Sequence, residues 1–299
     1  MSWKKTLTLL TSLAGAASIA IYLLNKTIHL TAISENYLDE TEGNFYNWKF
    51  GNIFYTKKGE GNPLLLIHDL STFGSGYEWN KLIKTLSKTN TVYTIDLLGC
   101  GRSDKPAITY TNFLYVQMIS DFISNIIEEK ANVISTGISC SIPLGVCHNN
   151  TDLIDKIIMV NPSSISTLSK TPTKKTKLLT KLINLPLIGT LLYNLLTSET
   201  NLSTLFEEKY YSDPNKVDYK TRKTYYEAAH IGNAESKYLF ASLKGNYLTA
   251  NVPLYLEGLN NSIYIINGEE LLEQYGCSRK YEDILPSIET ITIDEAKYL

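Results

Sequence analysis

The chain has 299 residues, a formal net charge of -2, 43% hydrophobic residues and four cysteines. This hydrophobic content can fill the core of one large α/β domain or two small ones, and the near-neutral charge gives no global attraction to nucleic acid. The cysteines lack metal-site spacing and are too few for a disulfide framework, and no glycine loop with a lysine is present to hold phosphate. We therefore expect no metal ion, no cofactor and no nucleic-acid partner.

Residues 1–30 contain a long uncharged segment. Thr6 to Asn25 follows two lysines and has the length and composition of a helix that crosses a bilayer. We expect a single-pass membrane anchor, and a cleaved signal peptide or a packed interfacial helix remain open as alternatives. Basic residues flank both ends, so the pattern does not specify which side of the membrane the rest of the chain occupies.

Downstream of a predicted linker at 31–45, strand-like and helix-like runs alternate, which favours a mostly parallel twisted sheet with helices on both faces. The predicted strands are Trp48–Phe50, Asn52–Lys57, Pro63–His68, Thr91–Asp96, Asn132–Ser135, Ile157–Val160, Ser262–Asn267 and Glu289–Ile293. The predicted helices before the gap are Trp79–Leu86 and Asn112–Ile127. Residues 46–162 and 252–299 are predicted to form this core, and 163–251 a helical cap over the carboxyl edge of the sheet.

The first part of the predicted cap is basic and then apolar. Its lysines are Lys170, Lys174, Lys175, Lys177 and Lys181, and they lead into Leu182 to Leu192. Such a segment can rest on an anionic membrane surface. It is more commonly a helix with a solvated lysine face and a core face, and both interpretations remain open.

Three motifs occur in a fixed order along the predicted core. They are Leu66-Ile67-His68-Asp69 at the end of a strand, Asp96-Leu97-Leu98-Gly99-Cys100-Gly101-Arg102-Ser103-Asp104-Lys105-Pro106 after the next strand, and Gly137-Ile138-Ser139-Cys140-Ser141 after a third. Together they resemble the α/β-hydrolases, in the cap-bearing branch that includes esterases, epoxide hydrolases, haloalkane dehalogenases and carbon–carbon bond hydrolases. The resemblance implies an α/β-hydrolase fold from about Tyr46 onward.

The resemblance also implies a site at the third motif. Ser139 is the expected nucleophile, on a sharp strand-to-helix turn, and it needs a nearby base because a serine hydroxyl reacts poorly on its own. The backbone N–H groups of Cys140 and Leu70 are the expected donors to an oxyanion.

Two residues of the first motif need separate interpretation. In the family His68 is structural, and Asp69 replaces a glycine. A carboxylate beside a developing oxyanion would repel it, so we expect Asp69 to turn toward solvent or toward a local backbone N–H.

The remaining triad positions depart from the family. The acid position after the seventh strand is Leu271, so Glu269 or, preferably, Glu270 would have to serve, although both also fit ordinary acids at a helix N-terminus. Tyr298 stands in the usual histidine position, and a tyrosine is a poor base at neutral pH. His230, in the predicted cap, is more simply a histidine satisfied by local hydrogen bonds.

Two functions follow from this pattern. The first is a membrane-anchored hydrolase that acts on an ester-like or other small apolar substrate through Ser139 with an incomplete triad. The second is a non-catalytic protein that binds a hydrophobic ligand or a protein partner under the cap.

Overall fold

A long N-terminal helix precedes the sheet. The computed structural model describes residues 3–298, and of residues 5, 9 and 272–276 only the backbone. Helix α1 is Trp3–Ala32, and its Thr6–Ala32 segment is long and apolar enough to cross a membrane, with a mean hydropathy of 1.9. The apolar helix is thus present, and its membrane insertion stays a prediction because signal sequences share these properties.

A single mixed sheet of eight strands forms the centre of the protein. Its strands are β1 Asn44–Trp48, β2 Gly51–Lys58, β3 Asn62–Ile67, β4 Asn90–Ile95, β5 Ala131–Thr136, β6 Ile154–Val160, β7 Ser262–Gly268 and β8 Glu289–Ile293. The order is β1-β2-β4-β3-β5-β6-β7-β8. The β1–β2 and β2–β4 pairs are antiparallel and all other pairs are parallel. The carboxyl ends of β3 to β8 therefore meet at one edge.

Twelve α-helices complete the described part of the chain. After α1 they are α2 Asn80–Leu86, α3 Asn112–Phe122, α4 Ser141–Asn149, α5 Ile165–Leu168, α6 Lys174–Ile183, α7 Ile188–Leu196, α8 Glu199–Leu205, α9 Tyr219–His230, α10 Lys237–Lys244, α11 Val252–Leu256 and α12 Leu272–Ile284. Helices α5 to α10 form a helical insertion between β6 and β7, and the described residues there include no strand.

Strand β3 shows why both faces of the sheet are covered. Its run of consecutive apolar residues is fully buried, as expected for a central parallel strand. Leu64 and Leu66 pack with Trp79 next to α2, while Leu65 and Ile67 join the main core that α3 and α4 complete. This mostly parallel sheet with flanking helices confirms the predicted fold class.

The loop after β4 is fixed by a buried ion pair. Arg102 Nε lies 2.9 Å from Asp96 Oδ2, and both side chains are almost inaccessible. The Gly76 N–H also donates to the Asp96 carboxylate, at 2.6 Å. These bonds connect the loop to the segment that leads into α2, which lies beside the candidate site.

Some boundaries differ from the sequence expectation. Strand β1 begins at Asn44, inside the predicted linker, and Leu38 in that linker is buried. Helix α12 was given no bounds, although the alternative interpretation of Glu269 and Glu270 places them at a helix N-terminus, and α12 begins directly after them at Leu272. The predicted helix at Asn112–Ile127 ends in a π-helical turn from Ile123, where Glu128 adopts a left-handed conformation.

Candidate functional site

A large cleft lies at the carboxyl ends of the parallel strands. Its volume is about 890 Å³, and its wall includes strand ends, the α2 region and the helical insertion. Its apolar and aromatic lining includes Tyr77, Val160, Tyr211, Tyr225, Ile266 and Tyr298. The volume of the cleft is within the usual range for a small-molecule site, and the carboxyl ends of the strands are the usual place for such a site in an open α/β sheet.

The strand-to-helix turn after β5 is centred on Gly137. Among described residues 131–149, Gly137 alone has a positive φ, at +58°. A nucleophile elbow holds its nucleophile in such a strained conformation directly after the strand. In this chain that position is a glycine, for which the conformation carries little strain.

Ser139 lies two residues beyond this point and faces inward. It is fully buried, and its hydroxyl donates to the backbone carbonyl of His68 at 2.7 Å. Ser139 is absent from the described residues that line the cleft. The geometry thus differs from the expectation of an Oγ exposed at the top of the sheet.

The Asp69 carboxylate accepts a hydrogen bond from the residue that follows Gly137. The Ile138 N–H donates to Asp69 Oδ1 at 3.0 Å, and Asp69 is only 6% exposed. The expectation of solvent or a local N–H as its partner is therefore wrong, because the carboxylate turns toward the strand-to-helix turn and bonds to an N–H 69 residues away in sequence. In an elbow, the N–H of the residue after the nucleophile is a donor to the oxyanion. A carboxylate oxygen of the protein itself therefore accepts the hydrogen bond that an elbow would offer to the oxyanion.

Tyr298 covers Gly137 from the other side. Its hydroxyl lies in the space that a β-carbon on Gly137 would need, next to the Asp69 carboxylate. Its ring stacks on Tyr210 with 5.5 Å between centroids, and its carbonyl accepts from Asn161 Nδ2 at 2.9 Å. Burial and the Asp69 carboxylate raise the pKa of Tyr298 well above its ordinary value. The neutral phenol is thus a hydrogen-bond donor at physiological pH.

A second acidic group, Glu78, lies on the cleft wall beside Asp69. Glu78 Oε2 accepts from the Asp69 N–H at 3.1 Å, and Oε1 accepts from the Thr136 hydroxyl. Burial and then the neighbouring Asp69 carboxylate raise the pKa of Glu78 to about 8. Glu78 is therefore mostly protonated at neutral pH and can donate a hydrogen bond into the cleft.

The four histidines of the sequence all lie outside the described cleft lining. His68 is buried, with Nε2 accepting from Leu97 N–H at 3.0 Å and Nδ1 bonded to the Asp69 carbonyl at 2.8 Å. His230 is also buried, its Nδ1 bonds to the Tyr226 carbonyl, and burial lowers its pKa to about 4. His148 is exposed on α4, and His29 bonds to the His230 carbonyl from α1.

The other expected site residues are not brought together with Ser139. Cys140 and Leu70 are buried and do not belong to the described cleft lining. Glu270 is exposed and lines the cleft, with its N–H donating to the Ala296 carbonyl at 3.0 Å. Of the expected site residues, the cleft thus contains Glu270 and Tyr298.

Sequence reasoning overlooked Gly137 and Glu78. The sequence does contain a signal that Gly137 is the elbow position. The small residues Ser135 and Ser139 flank it symmetrically, and it follows the predicted strand closely. Glu78 carries no comparable signal, since an acid just before a predicted helix is commonplace. The raised pKa of Glu78 arises only in the folded protein, where burial and the neighbouring Asp69 carboxylate act on it.

Comparison with known proteins finds partial sequence matches to hydrolases. No protein-family model matches the chain. A stretch of 148 residues, 48% of this chain and 49% of the relative, is 26% identical to 2-hydroxy-6-oxo-6-(2'-aminophenyl)hexa-2,4-dienoic acid hydrolase of Metapseudomonas resinovorans. A stretch of 107 residues, 36% of this chain and 37% of the relative, is 28% identical to the soluble epoxide hydrolase of Corynebacterium sp. strain C12. The matched stretches thus cover about half of these relatives or less.

Solved structures agree over a longer span. A serine hydrolase involved in carbazole degradation superposes with a TM-score of 0.68 at 17% identity, covering 86% of this chain and 91% of that one. At this identity the agreement concerns the fold. The chain has the α/β-hydrolase fold, and the two relatives and the solved structure named above are hydrolases by name.

Proposed function

We propose that this protein uses the α/β-hydrolase fold to bind a small apolar ligand in the cleft and forms no acyl-enzyme. The observation that carries the proposal is the occupation of the elbow by the protein's own groups. The Tyr298 hydroxyl takes the space of a side chain at Gly137, and the Asp69 carboxylate takes the adjacent backbone donor.

A nucleophile is the first requirement that this arrangement fails to meet. Serine catalysis needs a hydroxyl within reach of both a base and the substrate. The Ser139 hydroxyl is buried and donates its proton to a backbone carbonyl, so a substrate in the cleft does not reach it without rearrangement of the turn. Gly137, which has the strained conformation of an elbow nucleophile, has no side chain.

Stabilisation of an oxyanion is the second requirement. Loss of one donor to an oxyanion typically costs about 10² to 10³ in rate. Here the Ile138 N–H is bonded to Asp69, and a second negative charge beside that carboxylate would be repelled. The site therefore opposes the charge that develops in acyl transfer.

A general base is the third requirement. The Tyr298 phenol has a pKa well above 10, so at neutral pH it does not accept a proton. Both ring nitrogens of His68 bond to backbone groups, and His230 is enclosed by the insertion. The described cleft lining offers no histidine in their place.

Ligand binding, by contrast, fits the cleft. Aromatic rings and aliphatic strand-end residues supply apolar surface, which favours a compact apolar ligand through burial. Protonated Glu78 adds a hydrogen-bond donor on the wall, so a ligand with a carbonyl or carboxyl oxygen at one end matches the site best. Lys81, Lys216 and Lys297 also line the cleft and favour an acidic end group.

A serine hydrolase that acts through Ser139 is the second candidate. The hydrolase relatives named above favour it. It requires the turn to open so that Ser139 leaves its bond to the His68 carbonyl and reaches the cleft. Glu270 would then be the acidic partner, with Tyr298 in place of the histidine.

Two measurements on the full chain in lipid nanodiscs separate the candidates. A fluorophosphonate probe should leave the wild-type protein unlabelled, like Ser139→Ala. A photoreactive apolar diazirine should crosslink to cleft residues such as Tyr211 and Tyr225, as mapped by mass spectrometry. Val160→Trp, which fills the cleft, should reduce this crosslinking severalfold, and the matched control Ile291→Trp on exposed β8 should leave it unchanged.

Either of two results would overturn the binding proposal. The first is fluorophosphonate labelling of wild-type protein that disappears in Ser139→Ala. The second is diazirine crosslinking to the cleft that Val160→Trp and Ile291→Trp affect equally, in variants whose thermal unfolding midpoints match the wild type.

A further inference from the structure

Helix α1 has two structurally different parts. Residues 10–20 are exposed along their whole length. From Ile21 onward a stripe of residues packs against the helical insertion, ending at buried Ala32. Asn25 marks this transition, because its Nδ2 donates to the Leu187 carbonyl at 3.0 Å and its Oδ1 accepts from Asn194 at 2.9 Å.

These bonds place the α6–α7 hairpin at a defined level on α1. Leu187 lies in the turn between α6 and α7, and Asn25 is the last residue of the uncharged segment that begins at Thr6. A helix of that length just spans the hydrocarbon core of a bilayer. If α1 spans a membrane, the hairpin therefore lies at the membrane–water interface.

The hairpin also exposes apolar side chains. Leu178, Leu182, Leu185 and Ile188 are 44% to 61% exposed. The opposite face of α6 is packed, since Thr176 and Thr180 donate to backbone carbonyls of the α10 region at 3.1 and 3.0 Å. The apolar face therefore points away from the protein core.

All charged residues of the hairpin are basic. Between Asp155 and Glu199 the sequence has no acidic residue, whereas the hairpin and its lead-in contain five lysines. They are Lys170, Lys174, Lys175, Lys177 and Lys181, all exposed and none in an ion pair between described residues. A short helix with exposed leucines between lysines is typical of a segment that lies in the interface of an anionic bilayer.

We propose that the α6–α7 hairpin is a lipid-binding surface, in which Leu178, Leu182, Leu185 and Ile188 enter the interface beside α1 while the neighbouring lysines bind anionic headgroups. The two helices have ten and nine residues, too few to cross the bilayer separately. The hairpin is then a second contact that the insertion makes with the membrane, beside α1.

Lipid contact can be measured on the full chain in vesicles of phosphatidylcholine with or without 30% phosphatidylglycerol. A bimane label is attached to one introduced cysteine, because the four native cysteines are buried. Ile188→Cys reports on the hairpin, Ala14→Cys on α1, and Ile291→Cys on β8 is the control. Lipids with a nitroxide on the headgroup or upper acyl chain quench bimane that lies in the interface.

The proposal predicts at least threefold stronger quenching at residue 188 than at residue 291, increased by phosphatidylglycerol. Lys174→Gln, Lys177→Gln and Lys181→Gln together should at least halve the quenching at residue 188 in anionic vesicles. Their near-UV circular dichroism should remain that of the wild type.

Quenching at residue 14 with none above the control at residue 188 would overturn the proposal, and so would its absence at both residues. Quenching at residue 188 that neither phosphatidylglycerol nor the lysine changes affect would also overturn it. None of these readouts depends on the ligand proposed for the cleft.

Discussion

The hydroxyl of Tyr298 occupies the place in which a β-carbon on residue 137 would lie. The position of the Tyr298 hydroxyl therefore requires glycine at 137, because any side chain there would overlap with the hydroxyl. Asp69 completes the arrangement, because its carboxylate lies next to the Tyr298 hydroxyl and accepts a hydrogen bond from the Ile138 N–H.

Gly137→Ala should destabilise the protein well beyond the cost of a positive φ. Gly258 is a matched control, because it has φ +73° and open space around its missing β-carbon. We expect Gly258→Ala to cost about 1–2 kcal/mol in free energy of unfolding. Gly137→Ala should cost at least about 2 kcal/mol more, since the methyl group must displace Tyr298 and Asp69.

A double-mutant cycle tests the dependence directly. In a Tyr298→Ala background the cost of Gly137→Ala should decrease but stay above that of Gly258→Ala, because Asp69 Oδ1 still lies too close to the added carbon; denaturant unfolding measures both costs. Equal costs in the two backgrounds would show that Tyr298 does not restrict residue 137.

Ser139→Ala should act on stability. It removes the donor to the His68 carbonyl in a fully buried site, and we expect a loss of about 1–3 kcal/mol in the free energy of unfolding. Ser169→Ala, at an exposed serine whose hydroxyl also donates to a backbone carbonyl, should change it by less than about 0.5 kcal/mol. A neutral effect of Ser139→Ala would argue that this hydroxyl is free and available for chemistry.

The contribution of Glu78 to stability should fall as pH rises between the pKa values of this group in the unfolded and folded states. Its pKa is raised from 4.5 to about 8 in the folded protein, so between these values the folded state binds more protons than the unfolded state. The contribution to the free energy of unfolding then decreases with pH, by at most about 1.4 kcal/mol per pH unit.

Glu78→Gln, which keeps a neutral side chain, should remove that part of the pH dependence. Unfolding midpoints at pH 7 and pH 8.5, where His230 is mostly neutral in both states, should lie closer together in this variant than in the wild type, while Glu257→Gln at an exposed position should retain the wild-type difference. A wild-type profile that Glu78→Gln leaves intact would assign the pH dependence to other groups.

Arg102→Ala should be strongly destabilising. It leaves the buried Asp96 carboxylate without its cationic partner, a change that typically costs about 3–5 kcal/mol. Lys216→Ala disrupts the exposed pair with Asp213 and should cost less than about 1 kcal/mol. Comparable losses in the two variants, measured by thermal unfolding, would contradict this ranking.

Sequence patterns located the sheet well because its signals are local. Buried apolar runs such as Leu64 to Ile67 and β8 at Glu289–Ile293 lie where expected. Helix α12 was given no bounds because its sequence is polar, and β1 began early because the weak pattern before Tyr46 resembles a linker. In both segments tertiary packing outweighs intrinsic propensity.

The site was harder to predict, because it depends on distances between segments far apart in sequence. The substitutions at Leu271 and Tyr298 could be read from the motifs, whereas the meeting of Asp69, Glu78 and Tyr298 could not. The elbow position in the structure is Gly137, two residues before the serine that the sequence pattern assigns to it. The positive φ of Gly137 establishes this difference, and residue types alone do not.

Helix α1 runs without a break from its exposed part into the part that packs on the insertion. If it spans a membrane, a change in the tilt of its exposed part is transmitted to the part that packs on the insertion. A thinner bilayer that tilts the helix would then turn the sheet, the insertion and the cleft by the same angle. The direction in which the cleft opens would thereby follow the thickness of the surrounding membrane.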